Sequence, residues 1–520
     1  MDVPDPVTEY AREGFGIQYL YPYQRLVVAN VMDAMDYEDS GEAANQVVIL
    51  PTGAGKSLCF QLPAALCPGP TLVVYPLLGL MADQERRLAS TGIAVVVIRG
   101  GMTATEREAA FKAIESGVAR IIIANPEILA VPSVIKVLAA AKVFHFVIDE
   151  AHCIAEWGDG FRPAYLELGA AIQAISPRVV TAFTATASPP ILERVTEVLF
   201  VDRSYRLIAG APDRPNIRYE VQPALSMRRA VRMAASSRQR PMIIFAASRS
   251  GVEILAEDLR ALFPRIDTRF YHAGLEKTER TALEHWFMAS NDGVLCSTCA
   301  YGMGMDKPNI KTVVHFGPPS SVEAYLQESG RAGRDGQPCN ALLLRKAVPE
   351  DYGLPVEVAR NNGSLIDDRK SRIMAARART MYDYATGSYD CRRSFLLRAL
   401  GSDATADIAC SGCDVCEGSS TTRGEGSKEA CEVAEKHARR FRPRELAAFL
   451  AGKPGSRISE LFGTLGNWQA DEVEEAVSQA IATGLLDVRC RQPWKDRITT
   501  GKRARLELSR ATRHPRRVLQ

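Results

Sequence analysis

Thr52-Gly53-Ala54-Gly55-Lys56-Ser57 follows the apolar run VVIL (47–50) and leads into a stretch of helical period. A strand, a glycine-bearing turn and a helix start present consecutive backbone N–H groups to an anion, with the positive end of the helix behind them. In such a loop the amides from Thr52 through Gly53 to Gly55 wrap phosphates, Lys56 reaches the β- and γ-phosphates, and Ser57 offers its hydroxyl to Mg²⁺. Leu50 stands where the full G-x-x-x-x-G-K-[ST] pattern has its first glycine. Further on, FHFVID (144–149) runs into Asp149-Glu150-Ala151-His152. An acidic pair at the carboxyl end of a buried strand suits a Mg²⁺ ligand in Asp149 and a water-activating carboxylate in Glu150. Two helix-capping carboxylates are the plain alternative. Gln327-Glu-Ser-Gly-Arg331-Ala-Gly-Arg334 places two arginines three apart among glycines. That string suits charge stabilisation of a transferring phosphoryl group, and a surface basic loop is its alternative.

A second chemistry lies in Cys391, Cys410, Cys413 and Cys416. Four soft ligands at this spacing complete a tetrahedral Zn²⁺ shell with no open position, which is a structural rather than a catalytic site. An iron–sulfur cluster on the same thiolates is the competing reading. The remaining eight cysteines are scattered, and Cys296-Ser-Thr-Cys299, lacking two further ligands nearby, reads as core packing. The N-terminus MDVPDPVTEYARE is acidic where a secretion signal is basic, so reduced thiols and a cytoplasmic location are expected. No apolar run is long enough for a membrane span.

The elements that must hold these residues can be read from hydropathy. Short β-branched runs recur at 47–50, 71–75, 94–98, 120–124, 144–149 and 179–184, and again at 242–246, 268–272, 293–297, 312–316 and 341–345. Continuous apolar strands alternating with helices indicate parallel sheets covered on both faces. The expectation is an α/β chain with two tandem parallel-sheet lobes, 1–208 and 209–348. A helical cysteine module at 349–420 follows, then a polar linker at 417–429 and a small unit at 430–520. That last unit reads as helices at 442–450, 456–463 and 470–484 followed by a strand pair, a winged-helix-like arrangement. Residues 421–520 carry 20 Lys/Arg against 13 Asp/Glu, while the preceding 420 residues sum to −4. A basic end points to a polyanionic partner, or to a solvated tail. Pro493 and Trp494 would cap the strand pair, with Trp494 either stacking at a duplex junction or tucked into the core.

PTGAGKS, DEAH, FTATA (183–187) and QESGRAGRDG (327–336) are similar to the motifs of superfamily II helicases. FGIQYLYPYQ (15–24), YPLLGLMADQ (75–84), EAHCIAEWGDGFRPAY (150–165), DRPNIRY (213–219), YHAGL (271–275), YGMGMDKPNI (301–310) and the four cysteines narrow the resemblance to the RecQ family of DNA helicases. It runs from residue 15 to about 416. The resemblance implies two RecA-like lobes, a zinc module, use of ATP with Mg²⁺, and 3′→5′ movement on single-stranded DNA. It also implies ATP bound between the lobes, with His152 and Gln327 joining Lys56, Asp149, Glu150, Arg331 and Arg334 at the reaction centre. Gln24 would read the adenine edge. Trp157, Phe161, Arg162 and Tyr165 would form an aromatic-rich loop that senses DNA, since aromatic faces stack bases regardless of sequence. His272, in YHAGL, reads as a catalytic base or, in preference, as a structural or backbone-contacting residue. Tyr21 replaces the family's arginine and Ile17 its aromatic residue or histidine, so adenine stacking would fall to Tyr21. Asp159-Gly160, Ile128 and Ala247 also depart from the pattern, away from the hydrolytic core. The resemblance leads to the expectation of a chain shorter than is usual for such a family. Three readings follow: an ATP-driven DNA helicase, a DNA-dependent ATPase acting as a switch, or an RNA helicase, the last disfavoured by the cysteine cluster.

Overall fold

A computed structural model of the chain describes residues 6–35, 44–51, 53–158, 162–210, 213–299, 301, 307–347, 368–387, 390–402, 410–421, 423–453, 459–502 and 504. The first sheet contains β1 (Gln46–Ile49), β2 (Thr71–Val74), β3 (Val95–Ile98), β4 (Ile121–Ala124), β5 (His145–Ile148), β6 (Val179–Thr184) and β7 (Arg206–Ala209). Their spatial order is β3-β4-β2-β5-β6-β1-β7, and every pairing is parallel. Alternate residues serve opposite cores. Val47, Leu72, Ile122, Phe146 and Ile148 pack on one face, and Val48, Val73, Ile121, Ile123 and Val147 on the other. Burial on both faces explains why these strands are continuous apolar runs.

The second sheet contains β8 (Ile217–Ala224), β9 (Met242–Phe245), β10 (Thr268–Tyr271), β11 (Val294–Ser297), β12 (Thr312–Phe316) and β13 (Cys339–Lys346). Its order is β10-β11-β9-β12-β13-β8, again wholly parallel. Both lobes therefore have the expected architecture, with one strand added to each. β7 and β8 lie at sheet edges: β7 buries only Ile208, and β8 alternates buried apolar residues with the half-buried Arg218, Glu220 and Gln222, so neither is a buried apolar run. An edge strand also tolerates Pro223, which lacks a ladder donor.

The cysteine module is built onto the β8 edge. Cys413 bridges to Tyr219, with Asp414 N–H donating to Tyr219 O at 3.1 Å. Arg392 and Asp414 form a buried ion pair at 3.1 Å, and Met381, Tyr384 and Leu396 join the second lobe's core. Helices Asp368–Thr386 and Arg392–Ala399 frame this module.

The C-terminal unit has helices Ser427–Lys436, Pro443–Leu450 and Ala470–Ala482, then an antiparallel pair, β14 (Leu486–Val488) with β15 (Ile498–Thr500). Three helices and a strand pair were expected; the helices at 443–450 and 470–482 match, and Ser427–Lys436 stands in place of the third. The stretch expected as linker starts a helix whose Ala430, Val433 and Ala434 are buried at helical spacing. Of the expected 456–463 helix, residues 459–463 form turns and 456–458 lie outside the described residues. Among the described residues no helix is long and apolar enough to cross a membrane.

Candidate active site between the lobes

The strand order makes β5, β6 and β1 neighbours, so the segments leaving their carboxyl ends converge. Those segments are DEAH, FTATA and the glycine loop. Open parallel sheets bind ligands at this end.

Thr52 lies outside the described residues. Gly53 and Gly55 stand at φ +85° and +74°, the left-handed region that glycine enters without cost. A Cβ at Gly53 would meet nothing within 4 Å, whereas one at Gly55 would lie 2.5 Å from Gln24 Nε2. The loop is thus open on one side and closed by Gln24 on the other. Lys56 Nζ donates to the carbonyl of Leu50 at 3.3 Å, folding back across the cradle. Ser57 precedes helix Leu58–Leu66 with no side-chain capping bond. Gln24 is buried, its Nε2 donating to Ala54 O at 3.1 Å and its Oε1 accepting from Tyr21 N–H at 2.9 Å. In this structure the amide expected to read adenine is engaged with the loop itself. Tyr21 is 54% exposed and stacks on Tyr23 at 5.5 Å, with Tyr19 edge-on at 5.8 Å, an aromatic ledge beside the loop.

Burial and the neighbouring Glu150 charge push the Asp149 carboxyl up to about 6, with Lys56 opposing. Burial acts on Glu150 too, but Lys56, His152, Arg331 and Arg334 outweigh it and hold Glu150 below its ordinary value. Environment therefore moves the pair apart, Asp149 upward and Glu150 downward. Glu150 also has φ +52°, an uncommon conformation for a side-chain-bearing residue, and its N–H donates to Asp149 Oδ1 at 3.0 Å. His152 Nδ1 lies 3.4 Å from Glu150 Oε2 and 3.1 Å from Thr184 Oγ1, and Thr184 in turn donates to Thr186 O at 2.8 Å. DEAH and FTATA are so linked through one imidazole.

Two of the cations acting on Glu150 come from the other lobe. Helix Val322–Ser329 runs into the arginine loop, where Arg331 is buried and its Nε and Nη1 have no hydrogen-bond partner among the described residues. Burial and the nearby Arg334 pull its pKa down to about 10. A buried guanidinium without acceptors is costly, and an anion placed there would satisfy it. The loop is held by Arg214, which donates to the carbonyls of Gly330, Ala332 and Gly333 at 3.2, 3.2 and 2.8 Å. Gly333 stands at φ +55°, and a Cβ there would lie 2.5 Å from Asn216 Nδ2. DRPN thus acts as the clamp on the arginine string. Gln327 lines a cavity of about 300 Å³ shared with His152, Thr186 and Arg331. Cys299 lines it as well and is exposed, which corrects its reading as core packing; Cys296 alone is buried. His272 is buried, its Nε2 2.7 Å from Glu253 and its Nδ1 accepting from Gly274 N–H at 3.2 Å.

Trp157 ends helix Cys153–Trp157, and Phe161 lies outside the described residues. Arg162 donates to Glu127 Oε1 at 2.6 Å and to the carbonyl of Pro76. Tyr165 corrects an expectation: its ring is fully buried in the first lobe's core, so it anchors the base of the loop rather than facing a strand. Aromatic spacing in a loop does not reveal which ring turns inward.

The ligand atoms of Cys391, Cys410, Cys413 and Cys416 lie within 4.8 Å of one another. The N–H groups of Ser394 and Cys416 donate to Cys391 Sγ and Cys413 Sγ, both at 3.4 Å. Burial raises the Cys391 thiol, yet the Ser394 bonds and the facing cysteines bring it down to about 7. Four converging sulfurs with N–H donors to two of them fit a thiolate-bound metal. At the tip of the C-terminal strand pair Trp494 is 45% exposed, with the Arg439 guanidinium 5.8 Å from its ring centroid. The core alternative for Trp494 therefore fails.

Motif strings did not mark the lobe-bridging Glu323 and Arg377, which are 54 residues apart. Thr184 stood inside a quoted motif but carried no assigned role.

The DEAD/DEAH box helicase model matches residues 21–195, the helicase conserved C-terminal domain model residues 226–336, and the RecQ zinc-binding model residues 358–417. The ATP-dependent DNA helicase RecQ of Pasteurella multocida is 35% identical over 373 residues, 72% of this chain and 57% of the relative. The RecQ of Haemophilus influenzae is 32% identical, over 77% of this chain and 62% of the relative. The chain thus spans about three fifths of the length of these curated relatives. The putative ATP-dependent DNA helicase Q1 of Caenorhabditis elegans is 32% identical over 83% of this chain and 67% of the relative. Among solved structures, the DUF1998 helicase MrfA bound to DNA aligns with TM-score 0.54 and 19% identity over 66% of this chain and 51% of that one. The DEAD-box helicase Mss116 bound to single-stranded RNA and UDP-BeF aligns with TM-score 0.54 and 17% identity over 77% and 89%. These two share the paired-lobe fold and differ in nucleic acid, so the zinc module and the sequence relatives decide the family: the chain belongs to the RecQ helicases.

Proposed function

We propose that this chain is an ATP-dependent 3′→5′ DNA helicase, coupling hydrolysis to movement along single-stranded DNA and to duplex unwinding, and working in the cytoplasm. The observation that carries the reading is geometric: His152 and Thr186 of one lobe and Gln327 and Arg331 of the other line one cavity, with the charges of Arg331 and Arg334 acting on Glu150. Triphosphate held there would touch both lobes, so its hydrolysis would change how they meet.

Residues 1–208 form the ATP-binding lobe and 209–348 the second lobe, with the zinc module at 349–420 and a DNA-docking unit at 430–520. Tyr21 stacks the base, and Gln24 reads its edge once released from Ala54. The amides of Thr52, Gly53 and Gly55 and the Lys56 ammonium grip the phosphates. Mg²⁺, when bound through Ser57 and Asp149, supplies charge neutralisation to the phosphates. Glu150, kept ionised by the surrounding cations, takes the proton of the attacking water. His152 holds Glu150 and passes its state to Thr184. Gln327 faces the cleft, and Arg331 and Arg334 stabilise the charge developing on the transferred phosphoryl group. Trp157, Phe161 and Arg162 meet the DNA strand, and Trp494 meets the duplex. Zn²⁺ on the four cysteines serves folding.

The test is unwinding of forked, 3′-tailed and 5′-tailed duplexes with purified protein, using Lys56→Ala as control. The expected result is ATP-dependent strand release from forked and 3′-tailed substrates, lost in the variant. Hydrolysis without strand release would overturn the helicase reading in favour of a switch, and stimulation by RNA rather than DNA would overturn the substrate.

A further inference from the structure

We propose that Arg377 is a positioning residue that clasps the two lobes, setting how the arginine loop of one meets the acidic pair of the other. The inference rests on the ATP-driven two-lobe reading and adds a residue that no motif contains.

Arg377 belongs to neither lobe. It projects from helix Asp368–Thr386, in the segment that leads to the cysteines, yet its guanidinium bonds to both. Nη2 donates to Glu156 Oε1 at 2.5 Å in the first lobe and to Ser321 Oγ at 3.1 Å in the second. Nε donates to Glu323 Oε2 at 3.4 Å, and the other Glu323 oxygen accepts from Ser188 Oγ of the first lobe at 2.5 Å. The site is nearly closed, with side-chain exposures of 14% for Arg377, 6% for Glu323 and 25% for Glu156. Removing one partner of an ion pair shielded to this degree costs more than at the surface, because the group left behind is poorly solvated.

Each partner lies one short step from the reaction centre. Glu156 is a helical turn beyond His152, its Oε2 4.0 Å from His152 Nε2, and His152 contacts Glu150. Ser188 follows Thr186, whose carbonyl takes the Thr184 bond. Glu323 opens the helix that ends at Ser329, and the N–H groups of Gly330 and Arg331 continue its turns by bonding to Leu326 O and Glu328 O. A rigid helix therefore connects the clasp to the arginines. One planar fork spans the helix after DEAH and the helix before the arginine loop, and a lysine ammonium could not serve both carboxylates in that geometry. Misplacing reacting groups by about 1 Å can cost about a hundredfold in rate, so a clasp that sets their distance governs turnover more than binding. The aromatic ledge and the phosphate loop lie in the first lobe, out of its reach.

The experiment uses the full chain and measures steady-state ATPase with and without a single-stranded oligonucleotide for wild type, Lys56→Ala, Arg377→Ala, Arg377→Lys, Glu156→Ala and the Arg377→Ala/Glu156→Ala pair. The expected result for Arg377→Ala is a DNA-stimulated kcat lower by about tenfold, with KM for ATP within about twofold. Arg377→Lys recovers only part, and Glu156→Ala adds nothing once Arg377 is gone. Arg377→Ala strands a buried Glu323 carboxylate. If that variant does not fold, Glu156→Ala, which leaves the Arg377–Glu323 pair, carries the test through its own fall in kcat. Wild-type kcat in the folded variants, or losses that multiply in the pair, overturns the clasp alone. A wild-type chain that hydrolyses no more ATP than Lys56→Ala overturns the ATPase reading beneath it.

Discussion

At Gly55 the backbone stands at φ +74°, and an added methyl would lie 2.5 Å from the Gln24 amide. Left-handed geometry costs a side-chain-bearing residue about 1–2 kcal/mol, before the clash is counted. Gly55→Ala is therefore expected to displace Gln24 or reshape the loop and to weaken ATP binding by roughly tenfold or more. Titration with a fluorescent nucleotide checks this, and wild-type affinity would show that the loop relaxes freely. His145 makes a different kind of prediction. It is fully buried at the start of β5, its Nε2 2.8 Å from Thr181 Oγ1, and burial pulls its pKa down to about 3 from 6.5. The folded chain thus binds fewer protons here than the unfolded one. Stability from this group is complete above about pH 6.5 and is lost as pH falls towards 3, at up to about 1.4 kcal/mol per pH unit. His145→Gln keeps a donor for Thr181, and the urea midpoint of first-lobe unfolding should then fall less steeply between pH 6.5 and 4.5 than in wild type. Parallel pH dependences would remove His145 from the account. The residues that were legible in sequence came as contiguous strings, because phosphate, metal and thiolate chemistry each require fixed spacing. Glu323, Arg377 and Ser188 were not, since their partnership exists only after two lobes and a helix have met.

Among the elements, the strands buried on both faces could be read directly, whereas β7, which buries only Ile208, and β8, with its half-buried polar positions, were hidden at the sheet edges. The helix Ser427–Lys436 was hidden by its Gly, Ser and Glu content, which reads as linker until Ala430, Val433 and Ala434 find a core. The attachment of the C-terminal unit was likewise invisible. Arg232 of helix Met227–Ser237 is buried and donates to Asp258 at 2.5 and 2.8 Å, to Glu472 at 2.9 Å and to Asp471 at 3.1 Å. Glu475 accepts from Ser226 Oγ and from the N–H groups of Met227 and Arg228, capping a helix of the second lobe from the C-terminal unit. Glu472 is 2% exposed and would keep only Arg229 at 3.7 Å and the Gln469 N–H, so removing Arg232 leaves its charge weakly paired in a dry contact, at a cost of about 3 kcal/mol. Arg232→Ala is expected to loosen the docking, so limited proteolysis within residues 417–429 should release a C-terminal fragment faster than in wild type. An unchanged cleavage rate would mean that the apolar contacts hold the unit unaided.

For the whole molecule that docking has a mechanical consequence. The C-terminal unit is tied to the second lobe by Arg232 and Glu475, so the β14–β15 tip is carried with that lobe whenever the cleft opens or closes. The tip presents an exposed Trp494, and Arg489, Arg491, Lys495 and Arg497 flank it in sequence. An aromatic face among cations suits the end of a duplex, where stacking on a base contributes about 1–3 kcal/mol. If each closure presses this ring against the first base pair, Trp494→Ala should slow unwinding of a forked duplex by roughly fivefold to a hundredfold. ATP hydrolysis stimulated by single-stranded DNA should change little, because that stimulus reaches the cleft without the tip. Arg232→Ala should reproduce the loss with Trp494 intact, since a ring no longer carried by the lobe delivers no stroke. Strand release and ATPase measured side by side separate the outcomes. Unwinding at the wild-type rate in Trp494→Ala would exclude the ring as a wedge, and wild-type unwinding in Arg232→Ala would exclude the rigid connection that moves it.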